Sequence, residues 1–143
     1  MFAEQISVFI ENKAGRLAEV TSILRNARVN IRALSLADTT DYGVLRLIVD
    51  DNDKAEKALK AEGFKMGKTI VLAVEVDDTP GGLNRVLDPM DEAEVNVEYM
   101  YAFANTKGRN AIMIFRFEDH ERALEVLKAN DIKVISTEEI SNL

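Results

Sequence analysis

Apolar residues along this chain change their spacing in a fixed order, and the whole order occurs twice. "QISVFI" alternates, which puts Ile6, Val8 and Ile10 on one face of a strand. Just after Gly15, Leu17, Val20, Leu24 and Ala27 recur at helical spacing. "VNIRALSLA" and "VLRLIVD" are rich in β-branched residues and flank "DTTDYG", whose turn chemistry predicts a hairpin. "DNDKAEKALKAEG" begins acidic, keeps Ala and Leu on one face and stops at Gly63, the pattern of a capped helix. A short strand over Phe64 to Lys68 closes the unit. The order β-α-β-β-α-β predicts an α+β, ferredoxin-like fold: a four-stranded antiparallel sheet with two helices on one face.

Sliding the chain by 66 residues superposes the second unit on the first. Gly15 then meets Gly81, Leu17 meets Leu83, Val20 meets Val86, Val29 meets Val95 and Asn30 meets Asn96. After an insertion near "NTKGRN" the offset becomes 68, so Asp51 meets Asp119 and Ala55 meets Ala123. A register held over both halves predicts two tandem domains, 1–68 and 69–143, with the second repeating the fold from Ile70 to about Glu138. One position resists the pattern. Pro89 falls inside the second unit's first helix, where proline removes a hydrogen bond, so a kink or an early break is expected there.

Several strands are apolar on both faces: Leu45, Leu47 and Val49 oppose Val44 and Ile48, and Ile112 and Ile114 oppose Met113, Phe115 and Phe117. Helices cover one face only, so the other needs cover from the sister repeat or a second subunit, and a homodimer is expected.

Composition narrows the function. The 143 residues are 47% apolar and include no cysteine, which excludes disulfides, thiolate metal sites and cysteine nucleophiles. No apolar run approaches a membrane span, and "MFAEQISVFI" lacks the basic start of a signal peptide, so a cytoplasmic protein with no membrane partner is expected. A net charge of −7 argues against nucleic acid. The charge is uneven: residues 1–68 carry 11 basic against 10 acidic residues, residues 69–143 carry 7 against 15. Either this is ordinary surface drift, or the halves do different electrostatic work.

No catalytic constellation emerges. The single histidine, His120, stands at the start of an expected surface helix, a solvated position, and no serine is matched with a base. An acylphosphatase-like phosphate cradle would have Arg16 as its one candidate cation. The expectation is a protein that is not an enzyme and needs no cofactor.

The chemistry that does stand out is the turn from first strand to first helix. A helix start carries unpartnered N–H groups and the positive end of the dipole, which favours a carboxylate. Gly15 and Gly81 let the backbone approach a ligand. Asn12 adds an amide, and Asn30 opens a strand expected to lie beside the first, so the two could close on one small polar molecule. Asn30 and Asn96 are equally read as turn-formers between helix and strand. In "EYMYAFA", Tyr99, Met100 and Tyr101 either belong to an ordinary strand or line a side-chain pocket at the seam between repeats.

"IENKAGRLAEVTSILRNARVNI" and, more strongly, "VEVDDTPGGLNRVL" with "AEVNVEYMYAF" resemble the ACT domain, so nearly the whole chain resembles a free-standing tandem ACT protein of the kind likened to acetolactate synthase regulatory subunits. The resemblance implies a regulatory module that binds a free amino acid where two ACT domains meet and acts on a separate enzyme, or else a ligand-free interaction module. In the serine-binding ACT domain of phosphoglycerate dehydrogenase, ligand-holding asparagines sit in the glycine turn and at the start of the second strand; by motif position these match Asn12 and Asn30. The implied binding residues are Asn12, Lys13, Ala14, Gly15, Arg16, Leu17 and Asn30 in the first copy. In the second they are Asp78, Gly81, Gly82, Leu83 and Asn96, with Tyr99, Met100 and Tyr101. Asp78 replaces Asn12 and is joined by Asp77, so the second turn should repel a carboxylate and favour a cationic end.

Overall fold

The computed structural model describes residues 2–38, 41–103 and 110–142. The chain forms two compact units. One is Glu4–Thr69; the other runs from Ile70 onward and also takes in Phe2 and Ala3.

The first unit holds β1 (Ala3–Glu11), α1 (Arg16–Asn26), β2 (Ile31–Asp38), β3 (Tyr42–Val49), α2 (Asn52–Ala61) and the start of β4 (Lys65–Val76). Its strands lie in the order β2-β3-β1-β4. β3 is antiparallel to both neighbours, with Ile6 opposite Leu47 and Val8 opposite Leu45 on one side, Leu34 opposite Leu47 on the other. The alternation read from the sequence is the reason. Ile6, Val8, Ile10, Leu45, Leu47 and Val49 all face the helices and pack on Val20, Leu24, Ala55 and Leu59. Leu17, although in phase with that stripe, remains 39% exposed. The turn residues 39–40 of the expected hairpin, like "NTKGR" within the insertion, lie outside the described residues.

The second unit repeats the plan with the rest of β4, α3 (Asn84–Glu92), β5 (Val97–Ala102), β6 (Ala111–Phe117), α4 (His120–Ala129) and β7 (Val134–Ile135). The strand order is β5-β6-β4-β7, the same permutation as in the first. Its core joins Leu72, Val74, Phe115 and Phe117 to Val86, Met90, Ala123 and Leu127. The equivalent second helices start alike: the carboxylates of Asp51 and Asp119 accept from the amides of Lys54 and Arg122 at 3.1 and 3.0 Å. An Asp cap satisfies one orphan donor at each helix start.

Three expectations are revised. The strand closing the first unit and the strand opening the second are a single element, β4, so no loop separates the repeats. Pro89 does not break its helix early: α3 runs to Glu92, the counterpart of the α1 end at Asn26. The helix is short at its start instead, beginning at Asn84 where the repeat would place Gly82. A further helix, α5 (Thr137–Ser141), follows the repeat, started by a reciprocal capping box between Ser136 and Glu139. Of the second sheet faces, Ile48, Ile112 and Ile114 are buried while Phe9 on β1 is 45% exposed.

Candidate functional site

The turn after β1 is built by Gly15, whose φ of +89° is left-handed, and Gly81 repeats it at +83°. Only glycine adopts that conformation without a steric penalty. A Cβ at either glycine would meet nothing within 4 Å, so these two are required by backbone angle rather than by close approach. Gly82 is the close-approach glycine: a Cβ there would sit 1.9 Å from the Asp77 carbonyl oxygen. It approaches the chain's own backbone, not a ligand.

In the first unit Asn12, Lys13, Ala14 and Gly15 are exposed, and Asn12 N–H donates to the Asp41 carbonyl at 2.9 Å. No side chain caps the start of α1. Arg16 is already engaged, donating to Glu19 at 3.0 Å and Glu11 at 3.2 Å, while Lys13 lies 3.4 Å from Glu11. The cations of the turn therefore have carboxylate partners, and the amides of Asn12, Lys13 and Arg16 already donate to backbone carbonyls, which leaves, among the described residues of the turn, the amides of Ala14, Gly15 and Leu17 for an incoming anion. Beside the turn a crevice of about 230 Å3 is lined by Phe9, Glu11, Arg16, Tyr42, Phe64 and Lys65.

The second unit has an equivalent crevice, about 100 Å3, lined by Glu75, Asp77, Gly82, Arg85, Ile132 and Lys133. Asp77, the counterpart of Glu11, takes Arg85 at 3.2 Å. Each strand end thus carries a carboxylate bound by an arginine, but the arginine comes from different helix positions. The repeat register hides this, because Arg16 aligns with Gly82 and Arg85 with Glu19. Asp78 is exposed and makes no ion pair or hydrogen bond among the described residues. Leu83 is half-buried on the second core.

Asn30 and Asn96 do not join these turns. Asn30 starts the segment leading into β2 and is bonded to the far end of β3: its N–H donates to the Asp50 carboxylate at 2.9 Å and its carbonyl accepts from the Asp50 N–H at 3.1 Å. Asn12 sits at the Asp41–Tyr42 end. β3 runs between them, and at about 3.3 Å per residue they are roughly 25 Å apart. The expectation that Asn12 and Asn30 of one unit close on one molecule is therefore incorrect. β1 and β2 are parallel, so the end of one and the start of the other lie at opposite ends of the sheet. Asn96 has the same place, its carbonyl accepting from Glu118 N–H at 3.0 Å.

Charge differs between these asparagine ends as well. Asn30 shares a shallow surface crevice with Arg25 and Arg28, whereas Asn96 shares one with Glu94, Glu118, Asp119 and Arg122. On β5, Tyr101 is buried and its ring lies near-parallel to that of half-buried Tyr99, with centroids 6.5 Å apart. Met100 points to the opposite face and is 37% exposed. The three therefore do not line one surface. Among the described residues no His, Asp or Glu cluster could hold a metal, and no helix is long and apolar enough to cross a membrane.

A family model described as an ACT domain pair matches residues 1–143. The chain belongs to that family. A Bacteroides thetaiotaomicron protein of solved structure is 39% identical, with a TM-score of 0.93, covering 100% of this chain and 98% of that one. The regulatory subunit of aspartate kinase from Thermus thermophilus, in a ligand-free form, has a TM-score of 0.62 at 18% identity, covering 91% of this chain and 95% of that one. The corresponding Thermus flavus subunit gives 0.61 at 15% identity, covering 92% and 94%. At such identities the aspartate kinase subunits show the ACT-pair fold. Comparison with curated proteins returns no match. These findings do not speak for the likeness to acetolactate synthase subunits. ACT domains are regulatory rather than catalytic modules, so the two units are ACT modules of a regulatory type of protein.

Proposed function

We propose that this ACT pair binds a free amino acid, and that binding alters how ACT domains are arranged, so as to regulate a separate enzyme. The observation that carries the reading is the exposed left-handed turn at Gly15, which feeds an uncapped helix start. Because Arg16 and Lys13 are engaged by Glu11 and Glu19, the ligand carboxylate is received by backbone amides within the loop Asn12 to Leu17, those of Ala14, Gly15 and Leu17, with the Asn12 side-chain amide beside it. Asn30 contributes only if the ligand lies between modules, so that one module's turn faces another's asparagine end. A homodimer would supply such a meeting. The second turn, with Asp77 and Asp78, accepts a cationic group if it binds at all. The aspartate kinase subunits with this fold are regulatory subunits by name, which supports an enzyme as the target.

A second reading is a ligand-free interaction module. It is favoured by Leu34 and Leu36, which are 42% and 49% exposed on the edge strand β2.

The test is thermal melting with each of the twenty amino acids in turn. A ligand that binds only the folded state raises the midpoint, by about 2.7 kcal/mol of stabilisation at a hundredfold excess over Kd. One or a few amino acids should do so, and Asn12→Ala should abolish the shift. No shift with any amino acid at millimolar concentration would favour the interaction module. A shift that survives Asn12→Ala would place the site elsewhere.

A further inference from the structure

We propose that the N-terminal residues form a clasp that closes the C-terminal ACT module. Phe2 and Ala3 belong to that module, although β1 continues from Glu4 as part of the other. The chain therefore crosses between its units twice, at Ala3–Glu4 and at Thr69–Ile70.

The clasp has three contacts. The Phe2 ring meets the His120 ring edge-on, with centroids 5.0 Å apart and planes at 86°. That is the favoured arrangement of two aromatic quadrupoles. Phe2 also packs against the second core, while Ala3 is buried beside it. The Phe2 carbonyl accepts from Thr137 Oγ1 at 3.0 Å. His120 is the first residue of α4 and Thr137 the first of α5, so one residue pins the starts of both helices. His120 is thus a half-buried packing partner rather than the solvated residue the sequence suggests.

α5 depends on this contact. It has five residues, far below the length at which a helix persists alone in water. Its own devices are the capping box, the buried Ile140 and a long ion pair from Glu139 to Lys133 at 3.7 Å. Docked, Phe2 holds the start of α5; undocked, α5 frays.

Hydrogen exchange on the whole 143-residue chain tests it. In Phe2→Ala, amides of residues 137–142 should exchange about tenfold faster or more, reporting local opening, while residues 45–49 and 55–59 keep wild-type rates. His120→Ala should reproduce the pattern, and the double variant should add nothing beyond Phe2→Ala. Thr137→Val, which deletes one hydroxyl, should speed the same segment alone and keeps the test available if Phe2→Ala destabilises the whole chain. Unchanged exchange at 137–142, or equal acceleration in both modules, would overturn the clasp.

Discussion

Two adjacent glycines, Gly81 and Gly82, should respond very differently to one added methyl group. Gly81→Ala places a side chain in the left-handed region at φ +83° with open space around it, so its cost is conformational, about 1–2 kcal/mol. Gly82→Ala meets a wall. The new Cβ would stand 1.9 Å from the Asp77 oxygen, 2.9 Å from its carbonyl carbon and 3.2 Å from the Thr79 oxygen. All three are backbone atoms and cannot rotate away. The peptide at the end of β4 must move, and backbone shifts forced by overpacking cost roughly 1–3 kcal/mol. Asp77 then loses its alignment with Arg85, an exposed pair worth up to about 1 kcal/mol. The Gly82 N–H bond to the Thr79 carbonyl, at 2.9 Å, is strained as well, adding about 1 kcal/mol. The expected total is about 2–5 kcal/mol, the middle of that range being roughly twice the cost of Gly81→Ala. Urea denaturation of both variants beside Gly15→Ala, which shares the open space and the positive φ, measures the difference. Equal midpoints for Gly81→Ala and Gly82→Ala would refute the assignment of Gly82 as the close-approach glycine.

Two further perturbations test the architecture. Asp51→Ala and Asp119→Ala remove equivalent caps, so each should cost about 1 kcal/mol in denaturant titration, and a silent variant would mark its cap as idle. Glu56 in α2 is held by Lys60 at 2.6 Å and Lys68 at 2.7 Å, and these hydrogen bonds lower its carboxyl from the ordinary 4.5 to about 2. A depressed carboxyl contributes stability that is complete above its unfolded value and disappears as pH falls through the folded one. Glu56→Gln should therefore flatten the fall in stability between about pH 4.5 and pH 2, read from denaturant midpoints across that range; an unchanged slope would dismiss the ion pairs as a source of stability.

The fold was legible because one physical rule wrote it twice. Alternation at Ile6, Val8 and Ile10 and helical spacing at Val20 and Leu24 each report a single buried face, and both faces close on one core. What the sequence hid depends on three dimensions or on competing signals. β4 looked like two strands because the repeat register ends one unit at Lys68 and begins the next at Ile70, yet the backbone stays extended from Lys65 to Val76. α5 carried a readable Ser136-x-x-Glu139 capping box, but it overlaps the expected end of the repeat near Glu138, and five residues seldom suggest a helix. Pro89 was legible as a lost hydrogen bond but not as a tolerated one. Arg85 was missed because alignment with the first copy set it against Glu19, of opposite charge, although it reaches the carboxylate that Arg16 reaches in the first copy.

The asparagines carry the deeper lesson. Read along the chain, Asn12 and Asn30 look like two jaws of one site, because a helix lies between them and Asn30 opens a strand expected to lie beside the first. In a split βαβ unit that spacing has the opposite meaning. One crossover helix returns the chain to the end where β1 began, so the residue opening β2 is carried away from the residue closing β1. The same topology makes every such module two-ended, with a turn at one end and an asparagine at the other. In this chain the ends differ in charge: the first module has Arg25 and Arg28 beside Asn30, the second Glu94, Glu118 and Asp119 beside Asn96, and the second turn adds Asp77 and Asp78. The acidic excess of residues 69–143 is thus concentrated in part at both ends of one module. On the proposed function, a zwitterion that needed two ends would meet unequal sites, and exchanging Asp78 for Asn alone would restore only one of the two ends of the second.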